Sequence, residues 1–290
     1  MKRSTLKLLI LILWILVLGG MLVYILKNEE KQIKIDQINH QSTPTPNPSH
    51  TPQPTPTPTP LSFEEMSSLY GPCTKGSVLM YHHVENLDQA KAEGHAGLTV
   101  SDTAFRSHME YLRDHGYTVS RMQELIDFFD SGTAIGYRVY LTFDDAYDDF
   151  YEYAYPVLKE FNYPATVFVP TGLIDNPGYL SWNQIQEMSA SGLILFANHT
   201  WSHRNVGVSY DELDREITTA QTQLADHGTG NPKIFAYPYG FENSSAVNYF
   251  ASNGFQLAFT TKSGTILCKG QRLFLPRIRV GSAPLSYYGF

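Results

Sequence analysis

Two histidines and a pair of aspartates have the types and spacing of a hydrolytic metal site. His199 and His203 stand four residues apart in "HTWSH", and on a helical turn two such side chains lie on one face, close enough to share a cation. Asp144 and Asp145, in "TFDD", offer a carboxylate as the third ligand. Two imidazoles and one carboxylate leave a coordination position open for water, and zinc is the default ion for such ligands, with cobalt, nickel and iron also suitable. For the histidine pair alone, two solvated side chains are the alternative interpretation, and the carboxylate pair at another strand end weakens it.

The segments that would position these residues alternate between strand-like and helix-like. Apolar runs such as "SVLMY", "YRVYLTF" and "LILFAN" alternate with amphipathic segments that often end at glycine. Continuous apolar runs are typical of parallel strands buried on both faces. The pattern predicts one α/β domain, either a barrel or an open sheet, and in both architectures functional residues gather at the carboxyl ends of the strands. Polar or ionisable residues follow four of these runs: His82 and His83, Asp144 and Asp145, His199, and Tyr239.

The motifs in these runs resemble those of the polysaccharide deacetylases that have a NodB homology domain. "TFDD" is similar to the first motif of that family, "HTWSH" to its His-x-x-x-His motif, and "YPYG" to the end of its third motif, Arg-x-Pro-Tyr. "LMYHHV" and "LPRIRV" look more like the branch of extracellular poly-N-acetylglucosamine deacetylases. The resemblance covers about residues 75–280 and implies an irregular (β/α) barrel of the polysaccharide deacetylase type.

The resemblance also implies a reaction and a role for each motif residue. The reaction is removal of N-acetyl groups from an amino-sugar polymer (poly-N-acetylglucosamine, peptidoglycan or a chitin-like glycan) with release of acetate. Asp144 would be the general base, and Asp145, His199 and His203 would hold a divalent metal. The backbone N–H of Tyr239 would help to stabilise the oxyanion. A polarised carbonyl, a nucleophilic water and an oxyanion partner are what amide hydrolysis requires.

The sequence departs from the family pattern at two positions. Ala236 stands where the third motif usually has the arginine that orients the base, so we expect an arginine of "LPRIRV", Arg277 before Arg279, to take that role. Both arginines would equally suit the surface or a substrate groove. The late catalytic histidine of the family is absent as well, and His82 or His83 would have to protonate the leaving amine. Strand alternation allows only one of the two to face the site. We prefer His82, because it directly follows the apolar run.

Several other polar and aromatic residues are predicted to have structural roles or to be exposed to solvent, without a part in the reaction. We expect Trp182 to be a buried anchor rather than a sugar-stacking platform. Asp148 and Asp149 are predicted in the first turn of the next helix, where the helix dipole favours negative charge. The histidines without a partner pattern are predicted to be solvated: His95, His108, His115 and His227.

The N-terminal part of the chain predicts a membrane anchor and a spacer. Residues 8–26 contain no charged side chain, and a helix of that length spans about 29 Å, the thickness of a hydrocarbon core. Lysine and arginine precede this run, so residues 1–7 are predicted in the cytoplasm and the rest of the chain outside the cell membrane. A cleaved signal peptide is the alternative, but its apolar region is usually shorter and no A-x-A-like site follows. Residues 27–60 are predicted to be a linker that becomes Thr/Pro-rich, with 8 of the 17 prolines, and residues 61–290 to be the catalytic domain.

Composition restricts the partners and the redox state. The formal net charge of the 290-residue chain is -7 and no basic tract exists, which argues against nucleic acid as a partner. The predicted partners are an acetylated glycan and, through residues 8–26, the membrane. Cys73 and Cys268, the only cysteines, would form a disulfide or remain two buried thiols, and their spacing excludes a cysteine-based metal site.

Two alternative functions remain open at the level of the sequence. An O-acetyl esterase acting on xylan or another polysaccharide would use the same chemistry. A non-catalytic pseudoenzyme that binds glycan would explain the loss of the arginine at position 236. The presence of Asp144, Asp145, His199 and His203 together argues against the pseudoenzyme, because a binding module has no need of a base.

Overall fold

Short strands and helices alternate along residues 61–230 and 232–290, which are the residues that the computed structural model describes. The predicted cytoplasmic segment, anchor and linker, residues 1–60, lie outside the described residues. No helix in the described part is both long enough and apolar enough to span a bilayer. The strands are β1 Cys73–Tyr81, β2 His83–Glu85, β3 Thr99–Ser101, β4 Thr118–Val119, β5 Arg138–Phe143, β6 Ala165–Val169, β7 Ile194–Asn198, β8 Ile234–Ala236, β9 Leu257–Phe259, β10 Ile266–Cys268 and β11 Ile278–Arg279. The α-helices are α1 Phe63–Tyr70, α2 Leu87–Glu93, α3 Asp102–Asp114, α4 Met122–Ser131, α5 Tyr155–Phe161, α6 Trp182–Ala190, α7 Tyr210–Asp226 and α8 Ser244–Ser252.

One sheet carries most of the strands in the order β10-β1-β5-β6-β7-β8-β9, with β4 paired to β5 and β11 paired to β1. From β1 to β9 all neighbouring strands of this path are parallel, as the continuous apolar runs predicted. The segment after β10 bridges the first and last of these parallel strands. Leu275 pairs with Phe259 of β9, and Ile278 pairs with Leu79 of β1. The predicted α/β class is confirmed, and the curled sheet fits the predicted irregular barrel.

Alternation along the strands divides the buried side chains between two faces. Leu79 and Leu141 belong to a large apolar cluster that includes residues of α3, α5 and α6. Their sequence neighbours Val78 and Tyr140 belong to a second cluster, which α4 completes. Because successive side chains point to opposite faces, a fully apolar strand can contribute to both clusters at once. This packing fixes the positions of the strand ends.

A disulfide joins the two ends of the domain. Cys73 on β1 lies directly opposite Cys268 on the antiparallel strand β10, and the two are bonded. Of the two states that the sequence left open, the structure has the disulfide. It closes a loop with a sequence separation of 195 residues.

Replacing Cys73 and Cys268 by serine is expected to lower the free energy of unfolding by about 2–4 kcal/mol, because the unfolded chain gains conformational freedom when this long loop opens. Urea unfolding of the oxidised wild type and of the double variant measures the difference. The wild type in excess reductant is the control and should approach the double variant. Equal midpoints for the oxidised wild type and the variant would contradict the prediction.

Candidate active site

The carboxyl ends of β1, β5, β7 and β8 surround one cavity of about 560 Å3. The site residues that the sequence predicted lie around it, with one exception. The lining residues are Met80, His82, Leu98, Asp144, Asp145, Tyr147, His199, His203, Tyr237, Tyr239, Thr261 and Arg279. Arg277 is the exception, because it is fully buried behind the wall.

Three ligand atoms converge at one side of the cavity. Oδ1 of Asp145 lies 3.3 Å from Nε2 of His199 and 3.0 Å from Nε2 of His203. Nδ1 of His199 lies 2.7 Å from the carbonyl oxygen of Ala236, to which it donates its proton. Nε2 of a neutral His199 therefore directs a lone pair at Asp145. Within the described residues, Oδ1 of Asp145 is buried and accepts no hydrogen bond. Converging lone pairs around an unsatisfied oxygen fit a divalent cation held by these three residues.

The backbone around these ligands adopts left-handed conformations that non-glycine residues rarely take. The φ angles are 73° at Asp145, 56° at Ala146, 67° at Thr200, 57° at His203 and 61° at Tyr239. Left-handed backbone at threonine and tyrosine is costly and is retained mainly at functional sites. The prediction that "HTWSH" forms a helical turn is wrong. The segment is a loop, because left-handed residues at positions 200 and 203 are incompatible with a right-handed helix.

Asp144 is held by a buried arginine. Nη1 of Arg277 donates to Oδ1 of Asp144 at 2.7 Å, and Nη2 donates to Oδ2 at 2.7 Å. Nε of Arg277 donates to the carbonyl of Thr260 at 2.9 Å, and the guanidinium lies 5.6 Å from the ring centroid of Phe168. Burial raises the pKa of Asp144, but the charge and hydrogen bonds of Arg277, together with the nearby imidazoles of His199 and His82, outweigh it, so the pKa lies below its ordinary value. Arg277 thus makes the contact that the resemblance would assign to an arginine at position 236.

His82 and His83 point to opposite sides, as strand alternation requires. His82 lines the cavity with Asp144, and burial lowers the pKa of its imidazole although the two nearby aspartates oppose the shift. His83 is buried in a different environment, where its Nδ1 lies 2.5 Å from Oδ2 of Asp149 and its ring stacks on Tyr147 at 3.6 Å. Of the two histidines, His82 is the one that the structure places beside Asp144.

Asp149 lies at the start of the next helix, as predicted, but its carboxylate has a specific buried partner, and the prediction that His95 is solvated is wrong. Asp149 precedes the π-helical turn Phe150–Ala154, but its carboxylate is buried against His83 and accepts a hydrogen bond from the backbone N–H of Val84 at 2.9 Å. His95 is not simply solvated, because its ring stacks on His83 at 4.1 Å and its Nε2 contacts Glu85. These partners lie on separate elements, so no local spacing indicated them.

His108 is buried as well, contrary to the prediction. Its Nε2 donates to the carbonyl of Ala283 at 2.8 Å, and its Nδ1 lies 3.2 Å from the hydroxyl of Tyr81. Burial lowers the pKa of His108, and the hydrogen bond to Ala283 offsets only part of that shift. His115 is exposed, as predicted. Trp182 is partly buried against the larger apolar cluster and stacks on His227 at 3.9 Å, and it is not among the residues that line the cavity.

Tyr147 is a cavity residue that the sequence did not single out. Its ring lies between the catalytic cavity and the buried His83, whose orientation Asp149 fixes. Burial and the charge of Asp145 raise the pKa of Tyr147, so its hydroxyl remains a donor at neutral pH. The only signal was its place three residues after Asp144 in "DDAY", which is too general to identify a function.

A glycine next to Tyr239 fixes the wall of the cavity. Gly240 has a φ of 78°, and a Cβ atom at this position would overlap the side chain of Thr261, which also lines the cavity. Gly254 has a similar φ of 73°, but a Cβ atom there would meet no other atom within 4 Å, so it serves as a matched comparison. Alanine at either position would have the unfavourable left-handed backbone in common, but only at position 240 would its side chain also collide with a neighbour.

Replacing Gly240 by alanine is expected to lower the kcat/KM of the enzyme by roughly 10- to 100-fold, because Thr261 and Tyr239 must move away from the cavity. Gly254→Ala should change kcat/KM by less than twofold while losing about 1–2 kcal/mol of stability. Steady-state kinetics of both variants, with their thermal unfolding, provide the comparison. Equal loss of activity in the two alanine variants would show that the position of Thr261 and Tyr239 in the cavity wall does not determine activity.

The sequence matches the family model described as polysaccharide deacetylase over residues 132–258. The chain therefore contains a segment of the polysaccharide deacetylase type. A relative from Staphylococcus epidermidis, named poly-beta-1,6-N-acetyl-D-glucosamine N-deacetylase, is 27% identical over 198 residues, which are 63% of this chain and 68% of the relative. A protein of the same name from Escherichia coli K12 is 25% identical over 71% of this chain, which spans only 36% of that relative.

A solved structure agrees with this assignment. The Streptococcus pyogenes deacetylase PplD, determined in complex with acetate, superposes with a TM-score of 0.66 at 29% identity and covers 72% of this chain and 93% of its own. The predicted resemblance to the polysaccharide deacetylases is thus confirmed, and so is the prediction of an N-deacetylase enzyme. The roles of the individual site residues remain predictions that rest on their geometry.

Proposed function

We propose that this protein is a metal-dependent hydrolase that removes N-acetyl groups from an extracellular amino-sugar polymer and releases acetate. The observation that carries the proposal is the adjacency of two unlike carboxylates in one cavity. Asp145 faces two imidazole nitrogens with an unsatisfied oxygen, and Asp144 is held by a buried arginine. The names of the relatives favour poly-N-acetylglucosamine as the substrate before peptidoglycan or chitin-like glycans.

A divalent cation held by Asp145, His199 and His203 would polarise the acetyl carbonyl and lower the pKa of water, with zinc first among the candidates and cobalt, nickel and iron also compatible. The hydrogen bond from His199 to the carbonyl of Ala236 fixes the tautomer that leaves Nε2 free to act as a ligand. The left-handed backbone at Asp145 and His203 holds both side chains toward the same point.

The chain's own residues then account for the proton transfers. Asp144, kept ionised by Arg277, takes a proton from the water that attacks the acetyl carbon. His82, which lines the same cavity, gives a proton to the amide nitrogen as the carbon–nitrogen bond breaks, so that the sugar leaves as an amine and the acyl group as acetate. The backbone N–H of Tyr239 donates toward the oxyanion that forms between these two steps.

The proposal includes a location outside the cell membrane. The disulfide between Cys73 and Cys268 supports it, because such bonds persist in oxidising compartments. The charge-free run at residues 8–26 and the proline-rich segment up to residue 60 would anchor the domain and hold it away from the membrane. Accessibility of the domain to added protease in intact cells, compared with lysed cells, tests this part separately.

The reaction is tested by measuring acetate release from matched substrates. Full-length protein is incubated with oligomers of β-1,6-linked N-acetylglucosamine, with chitin oligomers and with O-acetylated xylan at equal concentrations of acetyl groups. The proposal predicts the highest kcat/KM on an N-acetylated glycan. Preference for O-acetylated xylan would instead assign an esterase, and binding of glycan without acetate release would assign a pseudoenzyme.

A further inference from the structure

A buried glutamate on α7 holds the loop between the two candidate histidine ligands. Oε2 of Glu216 accepts hydrogen bonds from the backbone N–H groups of Trp201, at 3.1 Å, and Ser202, at 2.8 Å. Oε1 accepts the hydroxyl hydrogen of Ser202 at 2.8 Å. Glu216 is only 2% exposed. One carboxylate therefore satisfies three donors in the middle of the His199–His203 loop.

The charge of Glu216, and not only its hydrogen bonds, distinguishes it from a glutamine. A glutamine oxygen could accept from both backbone N–H groups while its amide donates to the hydroxyl oxygen of Ser202, so Glu216→Gln keeps the loop contacts and removes the charge. In the part of the chain that the structure describes, no Lys, Arg or His nitrogen lies within 4.0 Å of the Glu216 carboxylate. Burying a carboxylate without a cationic partner is expensive. Such a cost is understandable if the charge serves the neighbouring site.

The contacts around Glu216 connect the loop to rigid elements. Oδ1 of Asn198, the last residue of β7, accepts from the backbone N–H of Thr200 at 2.8 Å, and Nδ2 of Asn198 donates to the carbonyl of Ile217 on α7 at 3.0 Å. Oγ1 of Thr200 accepts from the backbone N–H of Arg204 at 3.0 Å. The left-handed loop is thus fastened at its start by β7 and in its middle by α7. The carbonyls of Thr200 and Trp201 accept from the backbone N–H groups of Thr171, at 3.3 Å, and Gly172, at 2.7 Å, so Glu216 is the group that holds the N–H side of the middle of the loop.

We propose that Glu216 is a positioning residue for the cation site: it holds the loop in the left-handed conformation that directs His203 toward Asp145, and its negative charge favours a cation there. Outer contacts of this kind often change metal affinity roughly 10- to 100-fold when they are lost. The inference rests on the proposed function, because it requires a cation at Asp145, His199 and His203.

The test compares Glu216→Gln with Glu212→Gln in full-length protein. Glu212 lies on the same helix one turn earlier, and its partly exposed carboxylate pairs with Arg204 rather than with the loop N–H groups. The dissociation constant for Co²⁺ is measured by competition with a chromophoric chelator, and the thermal midpoint of each metal-free variant is measured in parallel. We expect Co²⁺ to bind roughly 10- to 100-fold more weakly to Glu216→Gln and within twofold of wild type to Glu212→Gln.

The possible results separate this inference from the proposed function. If Glu216→Gln lowers the metal-free thermal midpoint but leaves the Co²⁺ dissociation constant unchanged, the role is structural and the inference is overturned. Asp145→Asn must abolish tight Co²⁺ binding in the same assay. If it does and Glu216→Gln does not weaken binding, only the inference fails. A wild-type protein that does not bind Co²⁺ at all overturns both the inference and the proposed function.

Discussion

Replacing Asp144 by asparagine is expected to lower kcat for acetate release by roughly 10²- to 10⁴-fold, the range that a general base contributes. Asparagine has nearly the same shape as aspartate but cannot take a proton from water. The three candidate metal ligands are unchanged in this variant, so its metal content should equal that of the wild type. Rates are therefore expressed per metal-loaded, folded molecule.

The matched control for this variant is Asp148→Asn. Asp148 belongs to the second aspartate pair of the same segment, but it is exposed and lies outside the catalytic cavity. Its replacement should leave kcat within twofold of the wild type. An Asp144→Asn enzyme with a wild-type kcat would mean that another group accepts the proton.

Replacing Arg277 by methionine is expected to lower the free energy of unfolding by about 3–5 kcal/mol, because Asp144 is left as a buried charge without a partner. The pKa of Asp144 should rise as well, since the group that lowers it is removed. A base with a higher pKa is protonated to a greater extent at neutral pH. The acidic limb of the kcat profile should therefore move to higher pH, and activity at neutral pH should fall.

An exposed ion pair with the same geometry provides the control. Arg106 donates to both oxygens of Glu160, at 3.0 and 2.7 Å, on the surface between α3 and α5. Arg106→Met should cost no more than about 1 kcal/mol, because water solvates the remaining carboxylate. The free energies of unfolding of the two variants are measured in urea and compared with that of the wild type. If Arg277→Met costs as little as Arg106→Met, the buried pair does not determine the stability of the site.

A double variant tests whether the loss comes from the unpaired charge. Arg277→Met combined with Asp144→Asn removes both charges, so its unfolding free energy should be higher than the sum of the single losses predicts. Strict additivity of the two losses would indicate that Arg277 stabilises the barrel through packing on Phe168 rather than through its ion pair.

Sequence patterns identified the strand ends that form the site, because buried parallel strands leave a clear apolar signature. The motif residues Asp144, Asp145, His199 and His203 follow such runs, and parallel strands bring their carboxyl ends together. Arg277 was predicted from a departure from the family motif and not from an apolar run. The missing arginine at position 236 required a substitute, and the bridging segment from Leu275 to Ile278 delivers one from the far end of the chain.

What the sequence did not reveal depends on contacts between distant residues. "HTWSH" contains no glycine to indicate left-handed backbone, so its helical interpretation was natural although wrong. His108 finds its partner 175 residues away in Ala283, and no local pattern reports such a contact. The cysteine pairing depended on the register of β10, a strand of three residues that is too short to recognise from periodicity.

In the proposed reaction, acetate release depends on a cation held by Asp145, His199 and His203. The most direct measurement follows acetate release from an N-acetylglucosamine polymer by full-length protein that has been stripped with chelator and then titrated with Zn²⁺ or Co²⁺. We expect activity to be lost on stripping, to return as one equivalent of metal is added, and not to return in Asp145→Asn. Full activity of the stripped protein, or metal-dependent recovery of Asp145→Asn to the wild-type rate, would contradict this expectation.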